Sequence, residues 1–451
     1  VPHTTVPPQT TVPQTTTTLP ATTTTVPAPP VLSAVASQLT TAVSNGEVRI
    51  QIVVTNGGTS SAAGVQLDLP LPAGANFLHA EGVQPAAAPV AVFVRAYAPG
   101  WSCSAPTVTV SCTLPALPGG QTSTVVLVLA IAPTAPSSIT LTPGISHPVG
   151  ASVTITPVTI PVSVIAGVLA AETEHGTVLA IGNSVTTCDD GSTGCVAARD
   201  GSASGSVLDH NSHLMQYVNT AGGTFNSSSA QLSLTGTVSR AFLVWAGDIA
   251  QNAAVAPNSA ARDTVTFTTP SGTTTVTADD NTDNAGSTYF AYAEVTSLMG
   301  GSGTYSVADI QTALDVATFG GWSLVVIEHD ASMPERFLMA AAPLTVMSAT
   351  PFDLNIELLN PMSNATGTLV AVGFEGDRSL PGDHISLSGY SATNPFRGAV
   401  PGTRNPSYDN CLGTDVFVGA ATGLNGSQLA FSAATSGDRV MLGMIAVALD
   451  L

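Results

Sequence analysis

The residues of this 451-residue chain best able to do chemistry are acidic. Asp279-Asp280-Asn281-Thr282-Asp283-Asn284 sets side-chain oxygens at alternate positions between two strand patterns, and Asp279, Asn281 and Asp283 are the donors a hard cation such as Ca²⁺ would take. The match to a helical calcium loop is partial, since Asn284 stands where Gly is needed and Phe290 where a bidentate Glu is needed. An Asx-rich turn is the competing reading. Glu328, Glu335, Glu375 and Asp377 are the carboxylates a glycosidase would pair, although Glu328, beside His329 and Asp330, also reads as the cap of a strand edge. Three tryptophans and seven tyrosines are few for the ring platforms of a sugar-cleaving groove, and Trp245 and Trp322 lie in apolar runs that read as core. Asp209, His210 and His213 have the side chains of a zinc site, but on a strand the two histidines point to opposite faces. Neither G-x-S-x-G nor H-E-x-x-H occurs, and no Gly-rich phosphate loop follows a strand and opens a helix. The expectation is a protein without a catalytic site, with calcium as its one candidate cofactor.

The five cysteines suggest two short loops, Cys103 with Cys112 and Cys188 with Cys195, each stabilising the fold by roughly 2–4 kcal/mol in an oxidising compartment. Asp189-Asp190 then falls in a solvated turn closed by the second bridge. Cys411 is left over, as a small buried hydrophobe or as one half of an intermolecular bridge.

Only 9% of residues are charged, against an ordinary value of about 25%. All ten basic residues are arginines, and the net charge is −19. That balance excludes nucleic acid and anionic membrane as partners, because both reward clustered Lys and Arg. Lysine-based isopeptide cross-links are excluded as well. No apolar run approaches the 18 residues of a bilayer span; the longest, 125–132 and 440–449, have the length of buried strands.

Residues 1–30 are almost entirely Thr and Pro with some Val and Gln. Such a stretch cannot bury enough surface to offset its ordering entropy, and Pro biases it toward an extended stalk of roughly 3.1 Å per residue, about 90 Å in all. Thr/Pro tracts of this kind carry O-linked sugars, so a secreted, cell-surface location is expected.

From residue 32 onward, alternation dominates. In 47–54 and 65–69 the apolar residues recur at a period of two, and further runs at 90–97, 107–112, 123–132, 138–142 and 153–165 are separated by Gly/Pro turns. Seven short strands in this span predict a β-sandwich. The pattern breaks at 166–175, read as a linker. About thirteen strand patterns follow in 176–451, with one possible helical turn at 309–317, predicting a larger, jelly-roll-like β-sandwich. The fold class expected is all-β.

Val53-Val54-Thr55-Asn56-Gly57-Gly58, Gly64-Val65, Leu71-Pro72-Ala73-Gly74, Trp101-Ser102-Cys103 and Cys112-Thr113-Leu114-Pro115-Ala116-Leu117-Pro118-Gly119-Gly120 occur in that order and resemble an Ig-like repeat strung in tandem by bacterial surface proteins. The resemblance covers roughly 32–165 and implies a spacer or assembly module. Ala180-Ile181-Gly182-Asn183, the run from Ala241 to Asp248, Gly321-Trp322, Gly373-Phe374-Glu375-Gly376-Asp377 and Leu412-Gly413-Thr414-Asp415 resemble a β domain of unknown activity in large secreted bacterial surface proteins. Cys411 and the Asp/Asn-rich insertion near Asp279 depart from that pattern.

The function expected is that of an extracellular structural subunit that polymerises with copies of itself, because strand edges without lysine are unguarded against pairing. The segment 1–44 is expected to contribute to the contact, and 31–44 within it could add a strand to a neighbour. A monomeric adhesin for a host or carbohydrate ligand is the alternative, and a secreted hydrolase the remote one.

Overall fold

The computed structural model describes residues 29–81, 100–104, 108–148, 153–249, 258–284 and 287–451. The strand expected at 90–97 and the Thr/Pro stretch up to residue 28 lie outside these. The chain is all-β, as its alternation predicts.

In the N-terminal part, the strand Glu47–Asn56 buries Val48, Ile50, Ile52 and Val54 completely and turns the intervening residues outward. It lies in a four-stranded sheet in the order Leu32–Gln38, Glu47–Asn56, Thr122–Ile131, Ala75–Glu81. A five-stranded sheet built around Ala62–Pro70 and Thr109–Leu117 supplies Val65, Leu67, Val110 and Leu114 to the same core. Cys103 and Cys112 oppose each other in register on adjacent strands and form the expected disulfide. The segment expected to reach a neighbour pairs instead with its own chain: Leu32–Gln38 runs antiparallel to Glu47–Asn56, with Leu32 in the core. Among the described residues its other edge has no strand beside it in the sheet.

The C-terminal part is organised by one twelve-stranded sheet. At its centre is Val168–Ser184, whose first half pairs with Glu335–Ala341 and whose second half pairs with Gly320–His329. The expected linker 166–175 is thus mostly strand. Its two glutamates broke the apolar alternation, but both find partners from elsewhere: Glu172 meets His329 at 2.7 Å, and Glu174 pairs with Arg49. The change of partner falls between His175 and Gly176. There the backbones are so close that a Cβ on Gly176 would stand 2.0 Å from the Glu328 carbonyl oxygen.

The large sheet curls on itself, so that Val244 and Phe374, from strands far apart in the sheet, both lie against Gly443. Phe242, Val325, Leu338, Val372 and Met444 share that core. On another side, a five-stranded sheet containing Thr264–Thr269, Gly303–Ala308 and Ser227–Leu232 covers Trp245 and Trp322, which are cross-strand neighbours and wholly buried. Each indole N–H is satisfied, by the Arg262 carbonyl at 3.0 Å and by Ser228 Oγ at 2.9 Å, as burial of an indole requires. The stretch 309–317 holds no helix; Asp309 and Ala317 take positive φ values of 64° and 68°. The α-helix among the described residues is the five-residue Cys195–Arg199, closed by the Cys188–Cys195 disulfide.

The two parts meet around Arg49, which is 13% exposed and pairs with Glu81 and Glu335, each at 3.3 Å, besides Glu174. Asn45 Nδ2 donates to the Leu169 carbonyl at 2.9 Å, and Leu359 N–H donates to Thr41 Oγ1 at 3.0 Å.

Candidate functional site

Four segments distant in sequence converge at the end of the large sheet marked by Gly321 and Thr414. They are 188–213, 375–384, 396–415 and 435–439. Packing there is close enough that a Cβ on Gly321 would stand 2.1 Å from Thr414 Oγ1. Asn410 ties two of the segments together, 396–415 and 188–213: its Nδ2 donates to the carbonyls of Leu208 at 2.7 Å and Ala198 at 3.1 Å, and its N–H to the carbonyl of Arg199 at 3.0 Å.

Beneath this frame lies a buried acid and histidine cluster. His210 Nδ1 donates to Asp377 Oδ1 at 2.8 Å, and each side chain is 1% exposed. Asn211 donates to the other Asp377 oxygen. The Asp377 N–H in turn donates to Asp438 Oδ2 at 2.7 Å, and Ser379 N–H donates to Asp209 at 2.7 Å. Asp415 is completely buried; one oxygen accepts from Gly398 N–H, and the other has no hydrogen-bond partner and lies against Gly376. Glu375 sits at a positive φ of 72° and meets Arg439 at 3.2 Å.

Burial dominates the electrostatics. It raises Glu375 to about 7 against the pull of Arg439 and His210, and raises Asp438 to about 7 against two backbone hydrogen bonds. Asp415 is pushed well above the carboxylate range, and Asp383 and Asp209 are raised, again chiefly by burial. For His210, burial is the largest influence and disfavours the cation. The hydrogen bond and charge of Asp377, with Glu375 and Asp438 behind it, outweigh that influence, so its pKa is raised. Burial thus favours the protonated form of each of these carboxyl groups, and the His210–Asp377 pair is shut off from solvent.

An open cleft of about 500 Å³ lies between the disulfide-closed turn with its short helix and the 407–409 loop. Arg199 spans it, donating to Asp190 on one wall and to the Tyr408 hydroxyl at 3.3 Å on the other, with its guanidinium 5.1 Å from the Tyr408 ring centre. Asp200, Ser407 and Asp409 complete its polar lining.

The residues expected to do chemistry are not brought together. Asp279, Asn281 and Asp283 do not form a loop: Asp280–Asn284 is an edge strand paired with Thr288–Glu294. Asp279 accepts from Glu294 N–H at 2.6 Å, and Asp283 meets Arg262 at 3.4 Å. Among the described residues no group of three His, Cys, Asp or Glu side chains is placed to hold a metal ion. His213, which follows the 3₁₀ turn His210–Ser212, bonds the Val207 carbonyl at 2.8 Å, whereas His210 bonds Asp377. Glu328 is 2% exposed and accepts from Thr235 and Gly236 N–H groups at 2.5 Å; its strand Gly320–His329 has partners on both sides, so it caps a turn and not a sheet edge. It lies seven residues along one strand from Gly321, roughly 23 Å from the Glu375 end, too far to pair with it. Glu335 faces Arg49. Cys411 is 1% exposed, receives an N–H of Arg404 at 2.8 Å, and has its thiol pKa pushed up to about 11 by burial; it is thus the buried thiol of the simpler reading.

The fold defines an all-β protein of packed sheets. No family model matches the chain, and no curated protein matches it. Among solved structures, a GH78-family rhamnosidase of Bacillus sp. GL1 aligns at 10% identity over 92% of this chain and 54% of its own, with a TM-score of 0.16. The mycobacterial arabinofuranosyltransferase AftD aligns at 10% identity over 93% of this chain and 33% of its own, with a TM-score of 0.12. The chain thus spans about half and a third of the lengths of these two proteins. Likeness at that level carries no argument about activity.

Proposed function

We propose that this is an extracellular structural protein that assembles with copies of itself through exposed sheet edges, its Thr/Pro segment serving as an O-glycosylated stalk. The observation carrying this reading is the edge strand Leu32–Gln38. It contains no charged residue, has no strand on its outer side among the described residues, and presents Val35 at 69% exposure. Natural edges are normally blunted by lysine, proline or a covering segment; this strand contains neither lysine nor proline, and no described residue forms a strand over its outer edge. By contrast, Asp280 and Asp283 guard the edge strand Asp280–Asn284 with charge. Two disulfides and a lysine-free surface fit an oxidising exterior. Repulsion from a net charge of −19 opposes association, so assembly should strengthen as salt screens it.

The test is the sedimentation profile of the full chain beside a Val35→Lys/Ser37→Lys variant, which guards the edge without touching the core. Large assemblies in the first and folded monomers in the second are expected; equal behaviour of the two refutes the contact.

A further inference from the structure

We propose that the cleft crossed by Arg199 binds a neutral carbohydrate ring. The charge pattern selects the ligand. Asp190, Asp200 and Asp409 face Arg199 in the lining, while Arg404 donates to the Tyr408 carbonyl at 2.9 Å and Arg378 lies against Gly201, so the charges balance and no net field draws in an anionic ligand such as a phosphate or a uronic acid. A cationic ligand fares no better, because Arg199 occupies the middle of the cleft, already joined to Asp190 and set against the Tyr408 ring. What such a surface recognises is a polyhydroxylated neutral molecule: carboxylates accept from hydroxyl groups, the guanidinium donates to ring and hydroxyl oxygens, and the apolar C–H face of a sugar packs on Tyr408 and on Val196, which is 65% exposed.

The cleft is also built in advance of any ligand. The Cys188–Cys195 bridge closes one wall, Asn410 fastens the helix Cys195–Arg199 to the other, and Arg199 links both, so little ordering remains to oppose binding. Its volume of about 500 Å³ falls within the range of about 300–1,000 Å³ typical of small-ligand sites. The inference does not depend on self-assembly, since the cleft lies at the far part of the chain from Leu32–Gln38.

Saturation-transfer NMR on the full chain, with methyl glycosides of glucose, galactose and mannose as neutral probes and glucuronate and methylammonium as charged ones, tests it. Saturation transfer to at least one neutral glycoside is expected, with none to glucuronate or methylammonium. Tyr408→Ala should weaken that binding about tenfold or more, and Asp409→Asn, an exposed change that leaves the fold intact, should weaken it as well. No transfer to any neutral probe at millimolar concentration overturns the proposal. So does binding that survives both substitutions, or binding of a charged probe alone.

Discussion

His210 and Asp377 form a hydrogen-bonded pair 2.8 Å apart in which neither side chain is more than 1% exposed, although 167 residues separate them in the chain. The pair staples the 209–213 turn to the end of the large sheet. Removing one partner leaves the other buried and uncompensated, which costs about 3–5 kcal/mol in comparable settings. Asp377→Ala should therefore lower the free energy of unfolding by that order in urea titrations, whereas a change at the exposed Asp409 should leave it within about 0.5 kcal/mol.

The same cluster fixes the direction of the pH response. Glu375 and Asp438 rise from ordinary carboxylate values to about 7, so between about pH 4 and 7 the folded chain binds more protons than the unfolded one, and stability falls as pH rises. His210, also raised, acts in the same sense: its contribution is present below its unfolded pKa and is lost as pH climbs through the folded one. Below about pH 4 the order reverses, because Glu81 and Asp450 are lowered and lose their stabilising ionisation as they protonate. Thermal unfolding should show its highest midpoint near pH 4–5 and a lower one at pH 8. In the Glu375→Gln/Asp438→Asn variant the slope between pH 5 and 8 should flatten.

Gly176 marks where the central strand exchanges one neighbour for the other, with a Cβ position 2.0 Å from a backbone oxygen. A methyl group there cannot be relieved by moving a side chain. Gly176→Ala should cost about 2 kcal/mol or more, read as a drop in the urea midpoint at constant slope.

Arg49 is the cation at the junction of the two parts, held by three glutamates. Arg49→Ala leaves Glu81, Glu174 and Glu335 facing one another and should weaken the junction by about 3 kcal/mol. Calorimetry is expected to resolve two unfolding transitions in the variant where the parent shows more cooperative melting, and limited proteolysis should cut near residue 166.

How far the sequence foretold all this follows from where the information lies. Val48, Ile50, Ile52 and Val54 announced their strand because a local period of two is all that a half-buried strand needs. Cys103 with Cys112 and Cys188 with Cys195 were legible for the same reason, as each pair is close in sequence. The strand character of Glu172 and Glu174 was not, because the Arg49 and His329 that pair with them come from distant strands. Asp279 to Asn284 read as a loop because Asp and Asn disfavour strands, and pairing with Thr288–Glu294 overrode that preference. The buried cluster drew its members from positions 210, 377, 415 and 438, so no local spacing revealed it. The Glu375-Gly376-Asp377 and Gly413-Thr414-Asp415 motifs were the visible trace, and their buried partnership was not.

The account rests on the uncharged outer edge of Leu32–Gln38, and sedimentation velocity of the purified full chain over a range of concentration and salt tests it most directly. It predicts large species whose fraction grows with concentration and with ionic strength, and their loss in Val35→Lys/Ser37→Lys with an unchanged circular dichroism spectrum. A single monomeric boundary at every concentration and salt would contradict it.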